Sequence, residues 1–187
     1  EGANRRGLAG GGRAQDEDVE IVRLHVCAEL DGAECAVLAD QARARDIAAR
    51  SVDVMHLGEM QPERDHGLTS DISYPVSYRG RQGRDARSGG YFEFTMAVRP
   101  GPMILQGTYW GDERKRDFDI LVDNVKIATQ HLENDKPGAF FDVEYPLPPA
   151  LTAGKKSVRI RVVPHDGSSA GPIFGMRLFA AKSGATA

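Results

Sequence analysis

From Tyr91 onward the apolar residues of this chain recur at every second position, and that period decides most of what it can become. In YFEFTMAV (91–98), Phe92, Phe94, Met96 and Val98 fall on one face, with Glu93 and Thr95 on the other. SVRIRVV (157–163) repeats the pattern, with Val158, Ile160 and Val162 on one side and Arg159 and Arg161 on the other. IFGMRLFA (173–180) puts Phe174, Met176 and Leu178 together, and FFDVEY (140–145) is a further short run. A period of two is the signature of strands buried on one face only. In FDILVDNVKIATQ (118–130) two such runs meet at Asp123-Asn124, residues that tolerate the left-handed backbone a two-residue hairpin needs. Turn chemistry separates the runs at RPGP, KPGA, YPLPPALTAGKK and HDGSSAGP. No helical pattern follows residue 51, so a parallel α/β fold lacks its crossover helices. The expected fold is all-β: an antiparallel, jelly-roll-like β-sandwich. Phe94, Ile120, Val122, Ile160 and Met176 are its expected core positions.

The N-terminal part reads differently. ECAVLADQARARDIAARS (34–51) is rich in alanine and arginine and free of glycine and proline, so it predicts a helix. VEIVRLHV (19–26) alternates weakly and predicts a strand. The organisation expected is a flexible lead over 1–18, a strand and helix segment with a linker over 19–69, and the sandwich over 70–182. The opening EGANRRGLAGGGRAQDED lacks an apolar h-region, so it is not an intact signal peptide, and the chain reads as a processed product or a piece of a longer polypeptide.

Charge narrows the partners. Net charge is −3, with Lys and Arg interspersed among the acids, which argues against a dedicated nucleic-acid surface. No run is long and apolar enough for a membrane span. Cys27 and Cys35 could close a small disulfide loop. Two free, partly buried thiols are the plainer expectation, and neither a metal site nor a cofactor is expected from so few ligands.

Three stretches could carry a function. GEMQPERDHG (58–67) crowds Glu59, Glu63, Asp65 and His66 together, as a metal set or an acid–base pair would, though a solvated polar linker needs no ligand at all. YRGRQGRDARSGG (78–90) offers Arg84 and Arg87 for carboxylates or sugar hydroxyls, against the plainer reading of an exposed loop. TYWGDERKRDFDILVDN (108–124) sets Tyr109 and the sole tryptophan, Trp110, beside a burst of charge that includes Arg116 and Asp117. Trp110 is then either a stacking face on the lip of a sugar cleft or a cap on the core. No G-x-S-x-G elbow and no glycine-rich phosphate loop is present, so no catalytic residue is assigned.

The stretches TYWGDERKRDFDILVDNVKIATQHL and FFDVEYPLPPALTAGKKSVRIRVVPHDGSSAGPIFGMRLF resemble the C-terminal β-sandwich region of bacterial proteins similar to glycoside hydrolase family 127, the β-L-arabinofuranosidase group. RSVDVMHLGEMQPERDHGL and GRQGRDARSGGYFEF resemble the lead into that region, and the likeness covers roughly residues 50 to 180. It implies an accessory domain akin to carbohydrate-binding modules, joined to an upstream catalytic barrel. That barrel's zinc-bound cysteine cluster has no counterpart here, so its catalytic residues do not carry over. Glu63 and His66 sit where the family's E-x-x-H element falls, which implies a structural or ligand role for them. The expected function is therefore a non-catalytic, carbohydrate-binding-module-like accessory domain, secreted or periplasmic, with a plant-type glycan and the upstream catalytic domain as partners. The alternatives are a small glycosidase using acids such as Glu63 and Asp119, or a purely structural buttress. Trp110, Tyr109, Arg84, Arg87, Arg116, Asp117, Glu63 and His66 are the candidate ligand-binding residues.

Overall fold

The computed structural model describes residues 32–182. Residues 32–46 belong to one compact unit and residues 47–182 to another. The predicted helix is present as α1 (Gly32–Arg50). It bears few large apolar residues, and only Ile47 in its last turn is buried. The free-thiol expectation is corrected at Cys35, which is disulfide-bonded. Cys27 and the strand expected over 19–26 lie outside the described residues.

The second unit is an antiparallel sandwich, as the alternation requires. Its strands are β1 (Ser51–Met55), β2 (Thr69–Tyr78), β3 (Arg81–Ala97), β4 (Met103–Trp110), β5 (Arg116–Val122), β6 (Val125–Leu132), β7 (Phe140–Leu147), β8 (Ser157–Pro164) and β9 (Ala170–Ala180). Two short helices, α2 (Met60–Asp65) and α3 (Pro149–Thr152), sit in connections. One layer runs β1-β9-β4-β7 and the other β2-β3-β8-β5-β6. The layers are joined because long β3 pairs with β8 through Phe92–Ala97 but with β9 at Arg84 and Ala86. The hairpin between β5 and β6 closes at Asp123 and Asn124, whose φ values of 48° and 66° are left-handed.

The inner faces meet in one apolar core. Phe94, Ile120, Val122, Ile160 and Met176, the expected core positions, are all buried. Tyr109 reaches from β4 across to Phe118 on β5, with ring centroids 6.0 Å apart. Its hydroxyl is 2.8 Å from that of Tyr145, which donates to Gln130 Oε1 at 2.6 Å. That chain satisfies polar groups that would be costly to leave unpaired in the core. Burial, then the adjacent Tyr145 hydroxyl, holds the Tyr109 phenol protonated well above its ordinary range.

Two stretches read as loop or linker are ordered. The arginine-rich run after Tyr78 is the hairpin of β2 and β3, turning at Arg79 (φ 47°) and Gly80 (φ 77°). Its arginines alternate with small residues, which hides a strand from an apolar-period reading. The segment 56–68, read as linker, is a strap carrying α2 that crosses β3. Gly58 and Gly83 make the crossing possible. A Cβ on Gly58 would lie 2.4 Å from the Gly83 carbonyl oxygen, so only bare backbone fits there.

Candidate functional site

The outer face of the β1-β9-β4-β7 layer holds a cleft of about 650 Å³. The strand period builds its floor. On β4, Leu105 and Tyr109 face the core, so Gln106 and Thr108 face outward. Register then sets Gln106 opposite Arg177 on β9, and Thr108 opposite Asp142 on β7. The strap contributes His56 and Glu59, and the β2–β3 hairpin tip contributes Arg81 and Gln82. Phe140 and Phe174 form an aromatic wall with ring centroids 4.9 Å apart.

The polar groups of the floor are partly committed. Thr108 Oγ1 donates to Asp142 Oδ1 at 2.6 Å, leaving the second carboxylate oxygen to accept. Arg177 donates to Ser51 Oγ at 3.2 Å. Arg81 lies over the Phe140 ring, 4.6 Å from its centroid. The lining thus offers hydrogen-bond donors and acceptors of both charge signs beside an apolar wall. Among the described residues no group of three or more His, Cys, Asp or Glu side chains is placed to hold a metal ion.

The residues singled out in the sequence lie elsewhere or are already engaged. Tyr109 faces the core at 0% exposure, so it is no platform. Trp110 lies on the outer face yet is only 4% exposed. Tyr78 and Phe140 flank its indole, at 5.1 and 4.9 Å between centroids, and the Arg79 guanidinium lies 4.9 Å above it. Trp110 is therefore a clamp holding the hairpin tip against β4 and β7, and it presents no free stacking face. Gly111 contributes no open rim either, because a Cβ there would lie 1.7 Å from the Lys136 carbonyl oxygen.

Glu63 and Arg84 are brought together, but with each other. Their fork is bidentate at 2.7 Å on both arms, and Gly58 N–H also donates to Glu63 at 2.7 Å. Arg84 further donates to Ser73 Oγ at 3.1 Å. His66 Nδ1 lies 2.7 Å from the Pro62 carbonyl oxygen and Nε2 lies 3.1 Å from Asp53 Oδ1. Both oxygens are acceptors, so the protonated ring can donate from both nitrogens. Burial opposes that charge, but the Asp53 hydrogen bond and the Pro62 carbonyl outweigh it, and the His66 pKa is raised.

Arg87 lies over Tyr74 at 5.3 Å, 3.8 Å from Asp85. Arg116 pairs with Glu113 at 3.0 Å, and Asp117 with His131 at 2.5 Å. Arg116 and Asp117 are on β5, in the layer opposite the cleft, and neither lines it. Asp119, the alternative catalytic acid, is held by Thr129 at 2.5 Å and His165 at 3.0 Å. Desolvation pushes its pKa up, but those hydrogen bonds and Lys126 prevail and lower it, the reverse of what a general acid requires. Gln106, Asp142, Arg177 and Phe174 were missed. Each stands in an otherwise ordinary strand, and only the odd polar residue in the apolar run MILQGTYW hinted at Gln106.

Solved structures of low similarity include a family 35 carbohydrate-binding module from Clostridium thermocellum, at 14% identity, covering 61% of this chain and 92% of that one with a TM-score of 0.49. A family 35 module from Paenibacillus barcinonensis matches at 13% identity, over 62% and 94% of the two chains, with a TM-score of 0.46. An exo-β-1,3-galactanase from Phanerochaete chrysosporium matches at 12% identity over 60% of this chain and 27% of its own, with a TM-score of 0.48. Likenesses this distant do not carry a ligand from one chain to another. No curated protein matches the sequence. The family of unknown function DUF6805 matches residues 46–179, a span that reaches every strand of the sandwich, and the chain belongs to that family.

Proposed function

We propose that this chain is a non-catalytic accessory domain of a carbohydrate-active protein, and that it takes a glycan in the outer-face cleft. The observation that carries this reading is the polar floor of Gln106, Thr108, Asp142 and Arg177 beside the edges of Phe140 and Phe174, since Arg81 and Trp110 pack on Phe140 and Phe174 is largely buried. Sugars present apolar C–H faces and a ring of hydroxyls that both donate and accept. A shallow site with an aromatic side and mixed polar groups suits them, and a few placed polar groups fix orientation. The cleft volume of about 650 Å³ leaves space for more than one sugar ring.

The finer features of this reading rest on the sequence. The resemblance to the β-sandwich region of glycoside hydrolase family 127 proteins supports an upstream catalytic domain, a bacterial source and a plant-type glycan. The disulfide at Cys35 supports a secreted or periplasmic setting, where such bonds persist. Titration calorimetry of the chain with arabino-, xylo- and galacto-oligosaccharides tests the reading. Binding to at least one of them is expected, lost on Asp142→Ala with the melting temperature retained. Silence across all three sets, or binding untouched by Asp142→Ala, would overturn it.

A further inference from the structure

Three polar side chains of the described residues are buried: Arg84, Thr152 and Gln106. Two have evident reasons to be there. Arg84 is forked onto Glu63, and Thr152 Oγ1 donates to the Gly101 and Pro149 carbonyls at 3.3 and 3.2 Å. Gln106 differs. It is 8% exposed, and its amide has no hydrogen-bond partner among the described residues. Its polar atoms open onto the cleft floor, since no fully enclosed side-chain nitrogen or oxygen is left unpaired. Its stem is buried, while its amide is left for solvent or a ligand to meet at the cleft floor.

The charges around Gln106 indicate what it meets. Arg177 on β9 and Glu144 on β7 stand opposite it, and Thr108, two residues along β4, holds Asp142. On the rim Arg81 is matched by Glu59. Acids and bases are therefore mixed around the site: Asp142, Glu144 and Arg177 at the floor, and Glu59, Arg81 and His56 on the rim. A sugar carboxylate would bring its charge near Asp142, and an amino sugar would bring its charge near Arg177. Hydroxyls meet no such conflict, because a hydroxyl donates to Asp142, accepts from Arg177 and does both with an amide.

We propose that the cleft floor selects an uncharged, hydroxyl-rich sugar, and that the Gln106 amide is the specificity-determining group. This rests on the reading of the cleft as a glycan site. Since Gln106 makes no bond that holds the fold, its removal separates binding from stability. The test compares the chain with Gln106→Leu, by calorimetry with neutral arabino-oligosaccharide and with oligogalacturonate, and by thermal melting. Gln106→Leu is expected to melt no lower than the unaltered chain and to bind the neutral oligosaccharide about tenfold more weakly, the scale of one good hydrogen bond. Oligogalacturonate is expected to bind at least about tenfold more weakly than the neutral sugar, the scale of one unfavourable charge contact. A lower melting temperature for Gln106→Leu shows a structural partner and overturns the proposal without touching the glycan reading. Unchanged affinity in the variant, or tighter binding of oligogalacturonate, overturns it too. An unaltered chain that binds neither sugar overturns this proposal together with the reading beneath it.

Discussion

Trp110 and Tyr109 are neighbours with opposite tasks, because adjacent residues on a strand point to opposite faces. Tyr109 joins the core, and Trp110 is sandwiched between Tyr78, Phe140 and Arg79 on the outside. Both are buried, so the truncation Trp110→Ala is expected to cost about 3–5 kcal/mol, as large aromatic deletions do. It should also release the hairpin tip that carries Arg81 to the cleft. Chemical denaturation reads the first effect, and a stability unchanged by the substitution would return Trp110 to the role of an open platform. Ile120, at 0% exposure between Val162 on β8 and Ala128 on β6, is the plainer test of the core. Ile120→Ala is expected to cost about 2–5 kcal/mol.

The strap between β1 and β2 is the element whose stability depends most on charge. Its helix α2 buries no residue and has no side-chain N-cap. Leu57 and Leu68 anchor its two ends to the core, and what fixes the stretch between them is polar: the Glu63–Arg84 fork, His66 on Asp53, and the Thr95 N–H donated to the His66 carbonyl at 2.9 Å. Removing one arm of the fork leaves the other charge half-buried and alone. Glu63→Gln is therefore expected to cost about 3–5 kcal/mol, measurable by urea unfolding.

The His66 contact gives the strap a pH dependence. The groups facing His66 are Asp53 from β1 and Asp65 from α2, while β3 supplies backbone N–H donors. The folded pKa is raised above the ordinary value of 6.5, so this stabilisation is complete below pH 6.5 and is lost as pH rises through the folded pKa. The stability difference between the unaltered chain and His66→Gln should shrink as pH rises above 6.5. A difference that stays constant over that range would show that the ring charge plays no part.

At the scale of the whole molecule, the second unit is expected to unfold as one cooperative sandwich with a strand-dominated far-UV spectrum, because the two layers share a core and are joined through β3 and β9. Ligand in the cleft should raise its melting temperature, since only the folded sheet assembles residues from β4, β7 and β9. Turnover of an aryl arabinofuranoside by the chain alone is not expected. Its acids are engaged in other ways: Glu63 in the strap fork and Asp119 in a hydrogen-bonded surface cluster. Measured hydrolysis lost on Glu63→Gln, with the fold intact, would reverse that expectation.

The sequence by itself determined the fold class, the N-terminal helix read over 34–51, the β5–β6 turn at Asp123-Asn124 and the core face of most strands. All of these depend on local chemistry: a period of two, helix propensity and left-handed turn residues act over a few positions. The site was decided by tertiary structure. Gln106, Asp142 and Arg177 lie far apart in the chain and become neighbours only through the register of β4 with β7 and β9. The residues that looked functional, Glu63, Arg84 and His66, are polar for a local reason that sequence does not display, which is to hold a strap whose helix buries no residue of its own. Trp110 was ambiguous for the same reason. Alternation requires it to face away from Tyr109, but only the fold of the β2–β3 hairpin decides that its outer face is covered.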